Sequence, residues 1–459
     1  MKEFHEKNSD LSLLARWDNK YVWHPFTQMQ QWMSQADQAG RVIVSAEGFE
    51  LIDERGERFI DGFSSLWCNL HGHRVEQIDQ AITRQLGQVA HTTLLGHASP
   101  PSVELAQRLV RMTPAGLDKV FYSDSGATAV EVALKMAYQF FHNQGERGRT
   151  RFLALRNSYH GDTIGSVSLG GIETFHSIFR PLLFEATFVD SPNAYYHPAG
   201  AEAGAAVLEQ IDQTLAEAPG QFCAMIVEPL VQGAAGILTH EPGFLQGVRE
   251  LTRKHGVFMI ADEVATGFCR TGKLFACEHE SVSPDLMCLG KGLTGGYLPV
   301  AATLASQEIF DGFCGEADQG RTFYHGHTFT GNALGCAAAV ASVDLVKSSG
   351  LLESLPAKID LIGHRLGELA EHDNVGDIRQ RGMMVGIELV ADRQTGQALD
   401  PQKLTGAAVC LAARKQGLII RPLGDVVVLM PAPAMDIDTL ERMLDITIET
   451  IREFSFQKV

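Results

Sequence analysis

The chain contains no run of about 18 or more apolar residues, so no segment is long enough to cross a bilayer as a helix. Positive charge is scarce: 38 Lys and Arg face 55 Asp and Glu, a formal net charge of −17. A protein that tracks a phosphate backbone needs a basic face, so this balance argues against nucleic acid as a main partner. The 8 cysteines include no C-x-x-C pair. That removes the usual spacing of a structural zinc site and agrees with reduced thiols in the cytoplasm. There is no internal repeat at periods of about 20–50 residues and no low-complexity tract. The 45 glycines follow no triplet period, which excludes a collagen-like chain. The opening Met1-Lys2-Glu3-Phe4-His5-Glu6-Lys7-Asn8-Ser9-Asp10 lacks the apolar core of a signal peptide, so a cytoplasmic location is expected.

What the chain does have is ordinary globular composition, 45% hydrophobic and 20% charged, too apolar for a disordered chain. Its 459 residues suggest two to four domains at roughly 100–200 residues each. A large acidic enzyme is the leading class.

The first 40 residues are polar and aromatic, with Trp17, Trp23 and Trp32, and read as an arm lying on a body. Short strand patterns follow at Val42-Ile43-Val44, Phe49-Glu50-Leu51-Ile52 and Arg58-Phe59-Ile60, with Gly56 at a turn. From about residue 75 the rhythm changes. Seven short apolar runs start at Lys119, Phe152, Ala186, Ala224, Val257, Leu286 and Val300. Helical patterns lie between many of them, such as 128–141 and 244–255, the latter stopped by Lys254, His255 and Gly256. Strands alternating with helices predict a large, mostly parallel, doubly wound α/β sheet over 75–330. After a helix near 332–347 come helices mixed with short strands at 384–389 and 426–430, the pattern of a smaller α+β domain over 331–459. Residues 1–74 form the arm and strands that would join it.

In an open α/β sheet, ligands bind beyond the carboxyl ends of the strands. Five of the runs end in polar or aromatic residues: Ser123-Asp124-Ser125-Gly126-Ala127, Tyr159-His160-Gly161-Asp162, Glu228, Asp262-Glu263 and Gly290-Lys291-Gly292. They are expected to converge on one crevice. The Ser125-Gly126-Ala127 turn opens a helix, where free N–H groups and the helix dipole attract an anion such as phosphate. The commoner alternative is a plain N-cap. Lys291, between two glycines at a strand end, is sterically open and partly desolvated, which suits Schiff-base chemistry. Asp262, also at a strand end, needs a cationic partner if buried. A pyridine ring bound between the two, with its ring nitrogen on Asp262 and its aldehyde carbon on Lys291, is the pyridoxal phosphate arrangement. Alone, either residue is more simply a surface lysine or a salt-bridged aspartate. The ordered combination is far more specific.

Three other patterns carry less. The G-x-G-x-x-G at 290–295 is followed by Gly296, Tyr297 and Pro299, so no helix starts there. The P-loop-like 267–273 has Leu274 where Ser or Thr must hold magnesium. His71-x-His73 and His325-x-His327 lack a third ligand at metal spacing, so a turn or active-site lining is the better reading.

Ile260-Ala261-Asp262-Glu263-Val264-Ala265-Thr266-Gly267-Phe268, followed by Gly290-Lys291-Gly292, resembles the signature of the class III, pyridoxal phosphate-dependent aminotransferases. Trp23-His24-Pro25-Phe26-Thr27-Gln28-Met29, Ser64-Ser65-Leu66-Trp67, Ser123-Asp124-Ser125-Gly126, Tyr159-His160-Gly161-Asp162-Thr163 and Arg421-Pro422-Leu423-Gly424 are similar to the biotin-pathway branch, which converts 8-amino-7-oxononanoate to 7,8-diaminononanoate. The resemblance implies a fold type I homodimer with shared active sites, working in two half-reactions through the pyridoxal and pyridoxamine forms of the cofactor. It implies that Lys291 holds the cofactor and moves the proton, and that Asp262 pairs with the ring nitrogen. Gly126 and Ala127 would bind the phosphate, with Thr328 supplied by the other subunit. Tyr159 would stack on the ring, and Gln232 and Glu228 would lie near its other edge. Phe26, Trp67, Tyr159, Asp162, Gly326, His327 and Arg421 would line the substrate pocket, Arg421 taking the oxononanoate carboxylate. Many members carry Tyr at the place of Phe26. The amino donor is expected to be S-adenosylmethionine, with lysine as the alternative. An ω-amino acid:pyruvate aminotransferase is the rival reading.

Overall fold

The structure, a computed structural model, describes residues 12–35 and 38–456. The opening decapeptide therefore lies outside the described residues. The arm begins with helices Leu13–Tyr21 and Met29–Ser34. Asp18 ties them together by accepting hydrogen bonds from His24 Nε2 at 2.7 Å, Trp32 Nε1 at 2.9 Å and Arg41 Nη2 at 2.9 Å. The Arg41 guanidinium lies over the Trp32 ring at 4.1 Å.

Strands β1 (Ile43–Glu47), β2 (Glu50–Asp53) and β3 (Arg58–Asp61) form an antiparallel meander. Every one of the seven apolar runs is a strand of one central sheet: β4 (Leu117–Ser123), β5 (Arg151–Leu155), β6 (Thr187–Val189), β7 (Phe222–Val227), β10 (Phe258–Asp262), β11 (Leu286–Leu289) and β12 (Ala301–Ser306). A two-stranded hairpin, β8 (Val231–Gln232) and β9 (Leu238–Thr239), interrupts the series. The sheet order is β4-β12-β11-β10-β7-β5-β6. Strands β7, β10 and β11 are buried throughout, because helices cover both faces, and this is why their sequences are continuous apolar runs rather than alternating ones. Pairing is parallel from β6 to β11, while β12 is antiparallel to both of its neighbours. Strand β4 thus points the same way as β5, β7, β10 and β11, and their carboxyl ends share one edge.

The expected helix at 128–141 is Gly126–Asn143, and that at 244–255 is Phe244–Lys254. Asn332 caps helix Ala333–Ser348 through its side chain. Beyond it, β13 (Val375–Arg381), β14 (Met384–Asp392), β17 (Arg421–Leu423) and β18 (Val426–Leu429) form an antiparallel sheet in the order β13-β14-β18-β17, with β15 (Gln397–Ala398) on β14. Strand β16 (Leu418–Ile419) instead pairs with β3 in parallel, so the N-terminal meander is joined to the C-terminal part of the chain. Among the described residues no single helix is long and apolar enough to cross a membrane.

Candidate active site

The carboxyl ends of β4, β5, β7, β10 and β11 meet at a cavity of about 450 Å³. Ser125, Gly126, Ala127, Tyr159, His160, Asp162, Glu228, Asp262 and Lys291 all line it, together with Trp67. All five polar strand ends named from the sequence are thereby in one place.

The helix that starts at Gly126 is closed by a reciprocal capping box. Ser125 Oγ accepts from the Thr128 N–H at 3.3 Å, and Thr128 Oγ1 accepts from the Ser125 N–H at 3.0 Å. The N–H groups of Gly126 and Ala127, two residues that line the cavity, have no intrahelical acceptor. A Cβ at Gly126 would stand 2.5 Å from a Val264 methyl carbon, so glycine lets the helix start press against the segment that follows Asp262. Gly161, at φ +119°, is held as closely against Ala127.

Asp262 is buried at the tip of β10. Its Oδ2 accepts from His160 Nδ1 at 2.7 Å and its Oδ1 from the Val264 N–H at 3.1 Å. Lys291 follows β11 in a left-handed conformation, φ +41°, an unfavourable backbone state for a non-glycine residue of the kind found at functional sites. Its Nζ lies over the Trp67 ring, 4.9 Å from the centroid. Burial lowers the Lys291 ammonium below its ordinary value, against the opposing pull of the Asp262 and Glu228 carboxylates. The shift favours the free amine, the nucleophilic form. Glu228 is fully enclosed, and burial pushes its carboxyl up to about 7. It accepts from the Tyr159 N–H at 3.0 Å and the Gly233 N–H at 2.9 Å. Tyr159 in turn donates its hydroxyl to Asp162 at 2.7 Å.

Trp67 reaches the lysine from an unusual turn. Ser64, Ser65, Leu66 and Trp67 have φ of 53°, 47°, 74° and 68°, four consecutive non-glycine residues in left-handed backbone. Each costs about 1–2 kcal/mol. The turn is held from outside: Ser64 Oγ donates to the Met430 carbonyl at 2.5 Å, and Ser65 bonds Asp61 through both its N–H (2.9 Å) and its Oγ (2.7 Å). The buried Arg270 guanidinium donates to Ser64 Oγ and to the Asn69 and Pro431 carbonyls.

The remaining sequence-predicted residues do not line this cavity. Gln232 is buried, its amide occupied by the Ser191 hydroxyl and the Arg156 carbonyl. Phe26 packs edge-on to Phe175 at 5.5 Å, and Phe175 meets Tyr159 at 6.4 Å, so Phe26 touches the cavity wall only through an aromatic relay. Arg421 opens β17 half-buried, and no carboxylate or acceptor among the described residues partners its guanidinium. Gly326 and Thr328 are exposed, and His327 stands 4.0 Å from Asp124. The two His-x-His pairs take separate partners: Ser342 for His71, Asp61 for His73 and Lys135 for His325. Among the described residues no group of three or more potential ligands is placed to hold a metal ion.

Sequence reasoning gave His160 no role, although a buried Asp262 called for a cationic or donating partner and His160 sat in a quoted motif. Nothing in the sequence pointed to Arg270 or to the left-handed turn.

The chain belongs to a known family: the family described as Aminotransferase class-III matches residues 33–451. It is therefore a pyridoxal phosphate-dependent aminotransferase of fold type I. Its relatives include the adenosylmethionine-8-amino-7-oxononanoate aminotransferases of Nitratidesulfovibrio vulgaris, 51% identical over 95% of this chain and 80% of that protein, and of Geobacter sulfurreducens, 46% identical over 95% and 96%. The crystal structure of the enzyme of that name from Methanocaldococcus jannaschii superposes with a TM-score of 0.91 at 40% identity, covering 96% of this chain and 99% of that one. The omega transaminase of Pseudomonas jessenii in complex with PMP superposes nearly as well, TM-score 0.90, at 28% identity over 96% and 98%.

The cavity fits the cofactor. It offers uncommitted helix N–H groups for a phosphate, a buried carboxylate for a ring nitrogen and a depressed lysine for an aldehyde carbon, in one enclosed space.

Proposed function

We infer that the chain transfers an amino group to 8-amino-7-oxononanoate, giving 7,8-diaminononanoate for biotin synthesis, with S-adenosylmethionine as donor. The observation that carries this reading is 51% identity over 95% of the chain with a relative named for that reaction. The fold does not discriminate, since omega transaminases share it at a TM-score of 0.90.

Pyridoxal phosphate, when bound, supplies the electron sink that stabilises negative charge at the substrate carbon. Lys291 Nζ would hold the cofactor's aldehyde carbon and, as the buried amine, would move the proton. Asp262 would hold a positive ring nitrogen in place, and Gly126 and Ala127 would donate to the phosphate. Tyr159 and Trp67 wall the cavity and exclude water, and Tyr159 orients Asp162 toward an incoming amine. The free guanidinium of Arg421 is the natural clamp for the oxononanoate carboxylate. Glu228 and Gln232 shape the wall beyond Tyr159, Gln232 through its neighbours rather than by contact. The reading includes a cytoplasmic homodimer in which a second copy brings Gly326, His327 and Thr328 to the cavity. Its support is the exposure of large apolar groups, among them Leu95 at 88% and Tyr324 at 85%, around these residues and the arm. The chain is divided, on the same reading, into 1–74, 75–330 and 331–459, supported by the β3–β16 pairing.

The test is a product assay on the purified protein. 8-Amino-7-oxononanoate with S-adenosylmethionine should give diaminononanoate detectable by mass. Amination with lysine alone would move the donor assignment, and turnover only of ω-amines with pyruvate would overturn the reading.

A further inference from the structure

The helix Gly126–Asn143 opens on the phosphate cradle of its own chain. About 13 Å further along its axis the same helix holds a second element. Lys135 and Gln139, one turn apart on one face, both reach the segment that runs from Arg321 to Thr328. Lys135 Nζ donates to His325 Nδ1 at 3.0 Å. An ammonium only donates, so Nδ1 carries no proton and the ring is neutral. Gln139 Nε2 donates to the carbonyls of Thr322 at 3.1 Å and Arg321 at 3.4 Å. Phe323 packs edge-on to Phe121 and to Phe313, each at 5.6 Å. The segment forms no helix or strand between Gln319 and Ala333, yet its burial alternates with the period of an extended chain. Arg321, Phe323, His325 and His327 are half-buried against the body, whereas Thr322, Tyr324, Gly326 and Thr328 are exposed. Neither Gly326 nor Thr328 lines the cavity of its own chain.

We propose that Lys135 is a positioning residue for the cofactor phosphate of a second copy of the chain: by fastening the 321–328 segment at His325, it sets where Thr328 stands in the other copy's cavity. The proposal rests on the reading given above, that a second copy supplies Gly326, His327 and Thr328. One helix then serves two cavities, its own through the first turn and the other copy's through Lys135. Phe323 keeps the segment attached when Lys135 is changed, so the loss is one of placement and not of folding. A lysine that served only its own chain's fold would leave the other copy's cofactor untouched.

The experiment mixes two differently tagged copies of the full chain, recovers the hybrid dimer and loads it with pyridoxal phosphate. One copy carries Lys291→Ala, so the visible absorbance of lysine-bound cofactor reports only the cavity of the other. Lys135→Met is placed first on the copy that keeps Lys291 and then on the Lys291→Ala copy. The second arrangement should raise the cofactor's dissociation constant about fivefold, the scale of one lost hydrogen bond. The first should match the hybrid without Lys135→Met. Lys135→Arg, which keeps a donor, should restore binding in the second arrangement. Weakening in the first arrangement alone, equally in both or in neither would overturn the proposal. Thr328→Ala, put through the same two arrangements, tests the reading beneath it. If it weakens binding only on the copy that keeps Lys291, or if no hybrid dimer forms, that reading itself fails. If it acts from the Lys291→Ala copy while Lys135→Met does not, the proposal alone fails.

Discussion

The floor of the cavity and its rim are built differently. On the floor, Asp262, Glu228 and Tyr159 sit at strand ends of the central sheet with their polar groups engaged within the chain, and the Gly126 helix start is fixed by its capping box. On the rim, Phe26 is 55% exposed, Thr328 is exposed and the Arg421 guanidinium has no partner among the described residues. The floor is preorganised by folding, which suits a cofactor that stays through every turnover. The rim is left unsatisfied, which suits groups that come and go or a second copy of the chain. On the proposed function, substrate choice would belong to the rim and the chemistry to the floor.

The sharpest way to break that division is at Lys291. Lys291→Ala should cut turnover by at least about 10³-fold, the scale on which losing a covalent nucleophile acts, while the melting temperature of the cofactor-free protein stays near that of the parent. Borohydride reduction should label Lys291 in the parent; label on Lys135 or Lys273 would move the floor elsewhere. Glu228 probes the same region through pH. Its carboxyl is raised in the folded state from 4.5 to about 7, so its contribution to stability is full below the unfolded value and lost as pH climbs through 7. Glu228→Gln should remove on the order of 3 kcal/mol of the stability difference between pH 5 and pH 8, read by urea melts of the cofactor-free protein. A pH slope identical in variant and parent would show that the group is not enclosed as described.

On the rim, Arg421→Ala should weaken the oxononanoate half-reaction by about 2 kcal/mol, the low end for a charge pair because the site is only half-buried. Single-turnover spectra should show the donor half-reaction much less affected; equal damage to both halves would place Arg421 on the floor's side of the division. Phe26→Tyr should do least. One added hydroxyl is worth about 0.5–1.5 kcal/mol, a shift of tenfold or less in the ratio of S-adenosylmethionine to lysine as donor. No change in that ratio would mean that the arm does not select the donor.

Much of the floor was legible in the sequence because fully buried strands have no polar alternation to blur them. Each continuous apolar run, ending in a charged or glycine-rich segment, marked both a strand and a strand end. Direction was not legible: β12 is as apolar as its neighbours, and only its pairing reveals that it runs against them. Strands of two or three residues, such as β8, β9 and β16, are too short to show a period. The turn at Ser64–Trp67 defies local preference outright, since Leu and Trp avoid left-handed backbone, and the bonds of Ser64 and Ser65 to Arg270, Asp61 and Met430 anchor it from outside. The His160–Asp262 bond joins residues 102 positions apart, a link that no local pattern encodes.

That turn also has a meaning for how the chain comes to be active. Ser64 bonds residues 206 and 366 positions further along the chain. Loops of that length close late, after local structure has formed. During synthesis, all seven strands of the central sheet precede residue 430, so the floor has its full sequence before the last anchor of Trp67 is made. Of the bonds that hold the turn of Trp67, the one to Met430 is the last whose partner is made. A fragment that ends before residue 430 would keep the anchors at Asp61 and Arg270 and lack only the Met430 carbonyl that Ser64 bonds, so the cover over Lys291 is fastened in stages as the chain lengthens.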